Sequence, residues 1–569
     1  MNEAIASGAP INHATHWHDI DWARCYRMVR RHQARIVKAT KENKWGKVKS
    51  LQHLLTHSFY AKAISVRRVT ENRGRNTAGV DGVIWETPES KMKAVNTLKQ
   101  KGYKPKPLRR VLIPKANGKE RPLGIPTMQD RAMQALYLLA LEPVSETLAD
   151  KHSYGFRPSR STADAIEQVF KLLSRDYSPD WVMEGDIKAC FDNIDHDWLI
   201  NNIPMDRKIL GKWLKAGYVV NGTLFQTESG TPQGGIISPV LANIALDGLQ
   251  KVVDGVIPKT TRRGQNVAKV NFVRYADDFV ITGASKEILE NEIKPAVMEF
   301  FVDRGLSLSI EKTKITHVDD GFDFLGQNVR RYSGKLFIKP SLKSISSIKS
   351  KIRDIVSSNK QATTENLIRK LNPVIKGWAE YHKHVVSAEI FHNLDAFIWK
   401  QIWRWCKRRH PKKSSTWVKK KYFHSNGNRN WAFGTETKQF DLNGQRKWMW
   451  LYSASNVHIQ RHVKIRAEAN PYDPEWEEYF NNRQVRIMKT TLKGRRKLNR
   501  VWLNQKGICP ICSMPITRDT PWDVHHKTRR VDGGKNNVTN LEMLHINCHR
   551  QTHSQKHRLV IGSKGLNEA

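Results

Sequence analysis

Acidic residues are the scarce charge in this chain. Its 569 residues hold 54 Asp and Glu against 96 Lys and Arg, a formal net charge of +42. So large an imbalance exceeds what solubility asks and self-repels unless a polyanion neutralises it. Cysteine is also sparse. Of six, Cys25, Cys190 and Cys406 stand alone, while Cys509, Cys512 and Cys548 crowd one end. That asymmetry excludes a disulfide framework and favours a metal site. No apolar run approaches the ~20 residues a membrane-spanning helix needs. Met1 to Pro10 lacks a charged stretch followed by an apolar one, so no secretory signal and an intracellular protein are expected. Internal repeats and long low-complexity segments are missing as well. Aromatic residues are not: they make up 9% and include 18 Trp, which excludes a disordered basic tail. The length suggests about three to five domains.

Helical spacing of apolar residues covers 17–70, and Thr77-Ala78-Gly79-Val80-Asp81-Gly82 breaks it. From 104 to 127 the pattern is short strands and turns, with Asn117-Gly118 as a hairpin signal. Gln129 to Leu141 reads as a helix that Pro143 should end or kink, although Val144 to Leu148 could continue it. Trp181 to Ile187 reads as a strand ending in an acid, and Gly230 to Leu246 as a Gly-rich loop entering a helix. Beyond Pro340 the chain is helical and rich in Lys and Trp to about 422. Residues 423–490 are mixed, and Lys493 to Lys497 reads as a linker.

The stretch with most chemistry is Phe272-Val273-Arg274-Tyr275-Ala276-Asp277-Asp278-Phe279-Val280-Ile281. Two β-like runs flank adjacent acids, so a tight hairpin with carboxylates at its tip is expected. Adjacent carboxylates repel unless a cation neutralises them. Asp186 ends another β-like run, and neighbouring strands could bring it to the pair. Such a set can hold two Mg²⁺ ions for nucleotidyl transfer.

With those residues in view, Tyr275-Ala276-Asp277-Asp278 resembles the catalytic box of reverse transcriptases. Gly185-Asp186-Ile187-Lys188-Ala189-Cys190-Phe191 resembles the first-aspartate motif, and Gly230-Thr231-Pro232-Gln233-Gly234-Gly235 the template and nucleotide loop. The resemblance implies that Asp186, Asp277 and Asp278 carry the catalytic Mg²⁺ ions. It implies further that Phe191 gates against ribose, Lys115 and Arg121 grip the dNTP triphosphate, Gln233 meets the nascent pair or template, and Lys312 lies near the pyrophosphate. Phe322-Asp323-Phe324-Leu325-Gly326 resembles the primer grip.

Leu371 to His382, with Trp378 and Tyr381, is similar to the signature of the maturase, or X, domain of group II intron proteins. No acid occurs between Arg404 and Lys421, and Trp interleaves the basic residues. That composition suits phosphate contact and stacking on RNA.

Cys509-Pro510-Ile511-Cys512 and His545-Ile546-Asn547-Cys548 are two pairs at equal spacing, which fits a closed structural Zn²⁺ site with three sulfurs and one nitrogen. Between and after them, His525-His526, Gly533-Gly534, Asn540, His549 and His553 resemble an HNH nuclease. The resemblance implies that His525, His549 and His553 hold one divalent cation, Mg²⁺ being expected. His526 would be the general base, and Asn540 would orient its loop.

The expected fold is multidomain α+β: a right-hand reverse transcriptase with fingers and palm, a helical thumb/X domain, and a small ββα-metal HNH domain. Expected boundaries are 1–100 for an N-terminal helical extension, 101–338 for fingers and palm, 339–422 for X/thumb, 423–492 for a DNA-binding region by position, and 493–569 for the HNH module. The whole is similar to group II intron-encoded reverse transcriptase/maturases. This implies group II intron RNA, target DNA and dNTPs as partners, no membrane, and a bacterial cytoplasm, nucleoid or organelle as location. Two alternatives stay open: a splicing maturase with little polymerase activity, and a reverse transcriptase with another role such as defence.

Overall fold

The computed structural model describes residues 15–114, 118, 120–220, 222–231, 234–257, 267–427, 429–440, 445–492, 494–518 and 520–554. Lys115, Asn117 and Gln233 lie outside them. No helix among the described residues is long and apolar enough to cross a membrane.

Helices Trp22–Lys41, Trp45–His57 and Phe59–Glu71 pack against the long helix Met128–Leu148. Pro143 neither ends nor breaks that helix. A proline withholds the N–H that would bond the carbonyl four residues back. Here that carbonyl belongs to Leu139, and the Gln33 side-chain amide donates to it at 2.9 Å. The neighbouring helix thus removes the penalty, and the buried apolar face continues through Val144.

Four antiparallel strands form a sheet in the order Asn271–Tyr275, Asp278–Gly283, Trp181–Asp186, Lys314–His317. Its two faces enter different cores, as strand alternation demands. Met183, Phe272, Phe279 and Ile281 face the large core shared with the helices above. Val182, Val273 and Val280 face a second core with Tyr154 and Val169. Burial on both faces explains why these strands read as continuous apolar runs. A second four-stranded sheet holds the antiparallel pair Leu108–Pro114 and Glu120–Ile125, with Tyr218–Val220 and Thr223–Phe225.

A three-stranded sheet, Phe322–Phe324, Gln327–Tyr332 and Lys335–Pro340, leads into four helices, Leu342–Ser358, Thr364–His382, Ala388–Arg409 and Ser415–Tyr422. Their core includes Ile352, Leu371, Phe391 and Ile402, together with Phe423 and Phe433 from the next sheet, Phe423–Asn426, Arg429–Phe440 and Arg446–Trp450. His382 is buried between Gln327 Oε1 at 3.0 Å and Ser344 Oγ at 3.1 Å, and burial pushes its imidazole down to about 3. This part of the X-like signature is internal packing.

Residues 457–476 then return along the polymerase-like region. Asp164, fully buried, caps its own helix through Ser161 and accepts from Ile465 N at 2.7 Å, His462 Nε2 at 2.8 Å and Arg483 Nη2 at 3.0 Å. Burial alone would raise its carboxyl, but those donors outweigh it and hold it near 2. Removing one partner of a buried charge network costs about 3 kcal/mol or more. Asp164→Asn should therefore lower the urea midpoint and expose 457–472 to protease. An unchanged digestion pattern would show that residues 457–472 are held by other contacts.

Candidate active sites

The strand pairing makes the first site. Tyr275 pairs with Asp278 across a two-residue turn, so Ala276 and Asp277 form its tip. Ala276 has φ of 58°, the left-handed region such a turn demands. Arg274, fully buried, secures the turn from below. It donates to Asp247 Oδ1 at 2.5 Å, to Asn243 Oδ1 at 3.2 Å and to Ala276 O at 3.3 Å. Gly155 backs it closely, since a Cβ there would lie 2.1 Å from Ala276 N. On the other side Asp186 pairs directly with Asp278. Three carboxylates therefore share one corner of one sheet.

Their electrostatics are those of an anionic site. Asp277 is raised, mainly by desolvation and further by Asp186, while the charges of Arg121 and Lys312 oppose the rise. Asp278 sits at the rim yet is pushed up to about 6, by desolvation first and then by Asp277 and Asp186. Lys312 Nζ donates to Asp186 Oδ2 at 2.7 Å and is itself raised by that bond. The Lys312 loop is tied to the strand end by Ser309 N donating to Asp186 O at 2.8 Å. The three aspartates are not drawn as tightly as the C-terminal clusters described below, whose ligand atoms all lie within 4.8 Å of one another. A hard oxygen donor set with raised carboxyls suits a divalent cation. Were these carboxylates to hold Mg²⁺, the cation would compete with the Asp278 proton, and apparent Mg²⁺ affinity should weaken as pH falls through about 6. Titrating primer extension with Mg²⁺ at pH 7.5, 6 and 5 checks this; a half-saturating concentration independent of pH would contradict it.

Phe191 lies on the short helix Cys190–Asn193, nearly buried and edge-on to Phe156 at 5.9 Å. The Gly-rich loop is stitched to this helix. Thr231 N donates to Phe191 O at 2.6 Å, Gly230 N to Ile194 O at 2.8 Å, and His196 Nε2 meets Gly230 O at 2.8 Å. A Cβ on Gly230 would lie 2.5 Å from Phe191 O, and one on Gly234 2.4 Å from Gly124 O. Those approaches explain the glycines. Phe191, Asp192, Thr231, Arg110 and Tyr218 line a cavity of about 280 Å³ beside the Leu108–Pro114 hairpin. Arg121 lies opposite Ile113 in that hairpin.

The basic helices carry aromatic platforms. Trp399 and Trp403 stack at 5.6 Å with rings 8° apart, Trp431 leans on both, and Lys419 Nζ sits 4.5 Å from the Trp431 ring. Trp448 and Trp450 stack at 4.9 Å. Trp431 and Trp448 are exposed, whereas Trp405 is buried.

The C-terminal module is a two-stranded sheet, Trp522–His526 with Leu541–His545, followed by helical residues 546–554. Cys509, Cys512, His545 and Cys548 are all buried, and their ligand atoms lie within 4.8 Å of one another. The knuckle turn closes through Ser513 N donating to Cys509 O at 2.9 Å, and Cys512 Sγ lies 3.2 Å from His545 Nδ1. His525, His549 and His553 form a second cluster, with His549 and His553 Nε2 atoms 3.1 Å apart. Two ring nitrogens that close fit a shared cation. Asn540 accepts from Thr528 N at 2.8 Å and donates to Thr528 O and Lys535 O, bracing the turn after His526. His526 Nε2 is buried with no hydrogen-bond partner among the described residues.

Arg274, His196 and Arg67 escaped the sequence reading. Their signal was a cation or imidazole inside an apolar run, as in Val273-Arg274-Tyr275 and Val66-Arg67-Arg68-Val69. A charge at a position that alternation or helical spacing buries asks for a partner elsewhere.

Comparison with known proteins assigns most of the chain. Residues 113–329 match the family described as reverse transcriptase (RNA-dependent DNA polymerase), and 17–98 the N-terminal domain of reverse transcriptase. Residues 345–423 match the group II intron, maturase-specific domain, and 509–555 the HNH endonuclease. Protein YkfC of Escherichia coli K12 is 36% identical over 324 residues, which span 50% of this chain and 84% of that protein. Group II intron-encoded protein LtrA of Lactococcus lactis subsp. cremoris is 35% identical over 349 residues, 50% of this chain and 57% of that one. A 91 kDa protein in the cob intron of Schizosaccharomyces pombe is 31% identical over 324 residues, 47% of this chain and 39% of that one. The chain thus spans little more than half of LtrA, and less of the yeast protein. A reverse transcriptase domain, a maturase-specific domain and an HNH domain follow one another, and the chain belongs to the group II intron-encoded reverse transcriptases/maturases that carry a C-terminal HNH endonuclease.

Proposed function

We propose that the protein binds its group II intron RNA, assists its splicing, and drives target-primed copying of that RNA into DNA. The observation that carries this is the carboxylate corner, Asp186 opposite Asp278 with Asp277 at the turn. Residues 101–338 act as fingers and palm, 339–422 as X/thumb, and 493–569 as the nuclease. Residues 1–100 extend the fingers, and 423–492, by their position in the chain, serve as a DNA-binding region.

Asp186, Asp277 and Asp278 would hold divalent cations, whose charge would activate the DNA 3′-hydroxyl and stabilise the pyrophosphate leaving group. Arg121, with Lys115, holds the triphosphate, and Lys312 neutralises the departing pyrophosphate. The new bond joins the 3′-oxygen to the α-phosphorus as the α–β bridge breaks. Phe191 closes the cavity floor where a ribose 2′-hydroxyl would project, which selects dNTPs. Gln233 contacts the nascent pair or template. In the nuclease, His526 takes the proton of the attacking water; the P–O3′ bond breaks and frees a 3′-hydroxyl. His525, His549 and His553 would hold a divalent cation, Mg²⁺ being the expected one, and it would supply positive charge to the scissile phosphate. The Cys509, Cys512, His545 and Cys548 set would hold Zn²⁺ in a structural role. The basic platforms around Trp399, Trp431 and Lys419 stack on and neutralise RNA.

Purifying the protein from its source and sequencing the bound RNA tests the assignment. Enrichment of a group II intron RNA that contains this reading frame is expected. Bound RNA without group II intron domains would favour the other role, host defence included.

A further inference from the structure

Arg67 sits on the helix Phe59–Glu71, far in sequence from the cysteines, yet its Nη2 lies 3.7 Å from Cys548 Sγ. Its side chain is almost wholly buried. The guanidinium lies 4.7 Å from the Trp22 ring and 5.7 Å from that of Tyr26, and Nε donates to Glu71 at 3.1 Å. Nη1 has no hydrogen-bond partner among the described residues. Burying a guanidinium this way is costly unless a further anion faces it. Glu71 alone does not explain the aim of Nη2 away from it.

We propose that Arg67 is the counter-ion of the Cys509, Cys512, His545 and Cys548 centre, so that metal loading and docking of the HNH module on the N-terminal helices are one event. This rests on reading those four residues as a Zn²⁺ site. Three thiolates and a neutral imidazole around a divalent cation carry a net charge of −1, and sulfur ligands accept charge-assisted hydrogen bonds. Arg67 supplies the opposite charge from another part of the chain, and Arg75 and Arg550 line the same cavity of about 160 Å³ with Cys512 and His545. Without metal nothing holds the three sulfurs and the imidazole together as the single anionic centre that Nη2 faces, and the buried guanidinium loses its reason to stay.

A second contact shows what the docking holds. Gln551 Nε2 donates to His18 O at 2.6 Å and to Ile20 O at 3.3 Å. Cys548 and Gln551 are three apart on the helical stretch 546–554, so they share a face toward the N-terminal helices. His549 and His553, four apart, turn toward His525. One helix therefore carries the anchor on one side and the nuclease ligands on the other. The N-terminal helices pack on Met128–Leu148, so Arg67 positions the nuclease against the polymerase body without touching DNA.

The test uses the full chain and two readouts besides nuclease activity. One is the rate of Zn²⁺ release to a chromophoric chelator. The other is trypsin cleavage within 494–500, which holds Arg495, Arg496, Lys497 and Arg500. Arg67→Met should speed both by about tenfold or more, the loss expected for a hydrogen bond to a charged group. Primer extension should stay within about twofold of wild type, and Arg67→Lys should fall between. Wild-type release and cleavage in a folded Arg67→Met would overturn the proposal. If Arg67→Met loses primer extension through misfolding, wild type stripped of metal decides. Faster cleavage reversed by Zn²⁺ alone supports the coupling, and unchanged cleavage overturns it. Wild type that carries no Zn²⁺ removable by Cys512→Ser would sink the zinc reading itself, and the coupling with it.

Discussion

Asp277→Ala should abolish primer extension, by roughly 10⁴-fold or more, while the protein stays folded. The scale follows from losing one of the three carboxylates proposed to hold the cations, several kcal/mol of transition-state stabilisation at about 1.4 kcal/mol per factor of ten. Geometry separates this from a folding defect. Asp277 is at the tip of a two-residue turn and takes no part in the strand register, which Tyr275 and Asp278 close. Its charge also pushes Asp278 upward. Removing it relieves like-charge repulsion, so the metal-free variant should unfold at a temperature equal to or above that of wild type. Activity lost with stability retained is the expected pair of results. Wild-type extension by Asp277→Ala would remove this corner from catalysis. Inactivity of wild type and variant alike would favour a splicing maturase with little polymerase activity.

His526→Ala removes DNA nicking by about 10²- to 10⁴-fold, the range a positioned general base contributes. Extension of a supplied DNA 3′ end should not change, because His526 lies in the Trp522–His526 strand of the C-terminal sheet and not in the carboxylate corner. Asn540 gives an internal comparison. Its side chain makes three bonds to Thr528 and Lys535, so Asn540→Ala would loosen the turn after His526 and lower the nicking rate without removing the base. A nicking rate in His526→Ala equal to wild type would assign the proton transfer to another group.

What was legible in the sequence is what neighbouring residues determine among themselves. The hairpin that ends in Asp277 and Asp278 is local, and so is the face shared by His549 and His553. The partnership of Asp186 with Asp278 needed only one assumption, that two acid-tipped strands are neighbours. What was not legible depends on partners far along the chain. Pro143 should interrupt a helix, and does not, because Gln33 is there to bond Leu139 O. Residues 457–476 show no periodicity because they do not form their own layer; their backbone and side chains bond Asp164, Gln168 and Arg160 of the polymerase region. The tryptophans after 423 could not be sorted from composition. Phe433 enters the core of the preceding helices while Trp431, two residues earlier, stays at the surface. Arg67 reads as one more cation in a basic helix until Cys548 is placed beside it.

In the proposed function one chain makes the primer end and then extends it on intron RNA. The direct measurement is a target-primed reaction: ribonucleoprotein, double-stranded DNA target and labelled dNTPs, followed for intron complementary DNA joined covalently to the target strand. Wild type should yield the joined product. Asp277→Ala should leave a nicked target without extension, and His526→Ala should give no joined product unless a pre-nicked target is supplied. A joined product from intact target with His526→Ala, or complementary DNA never attached to a nicked end, would contradict the account.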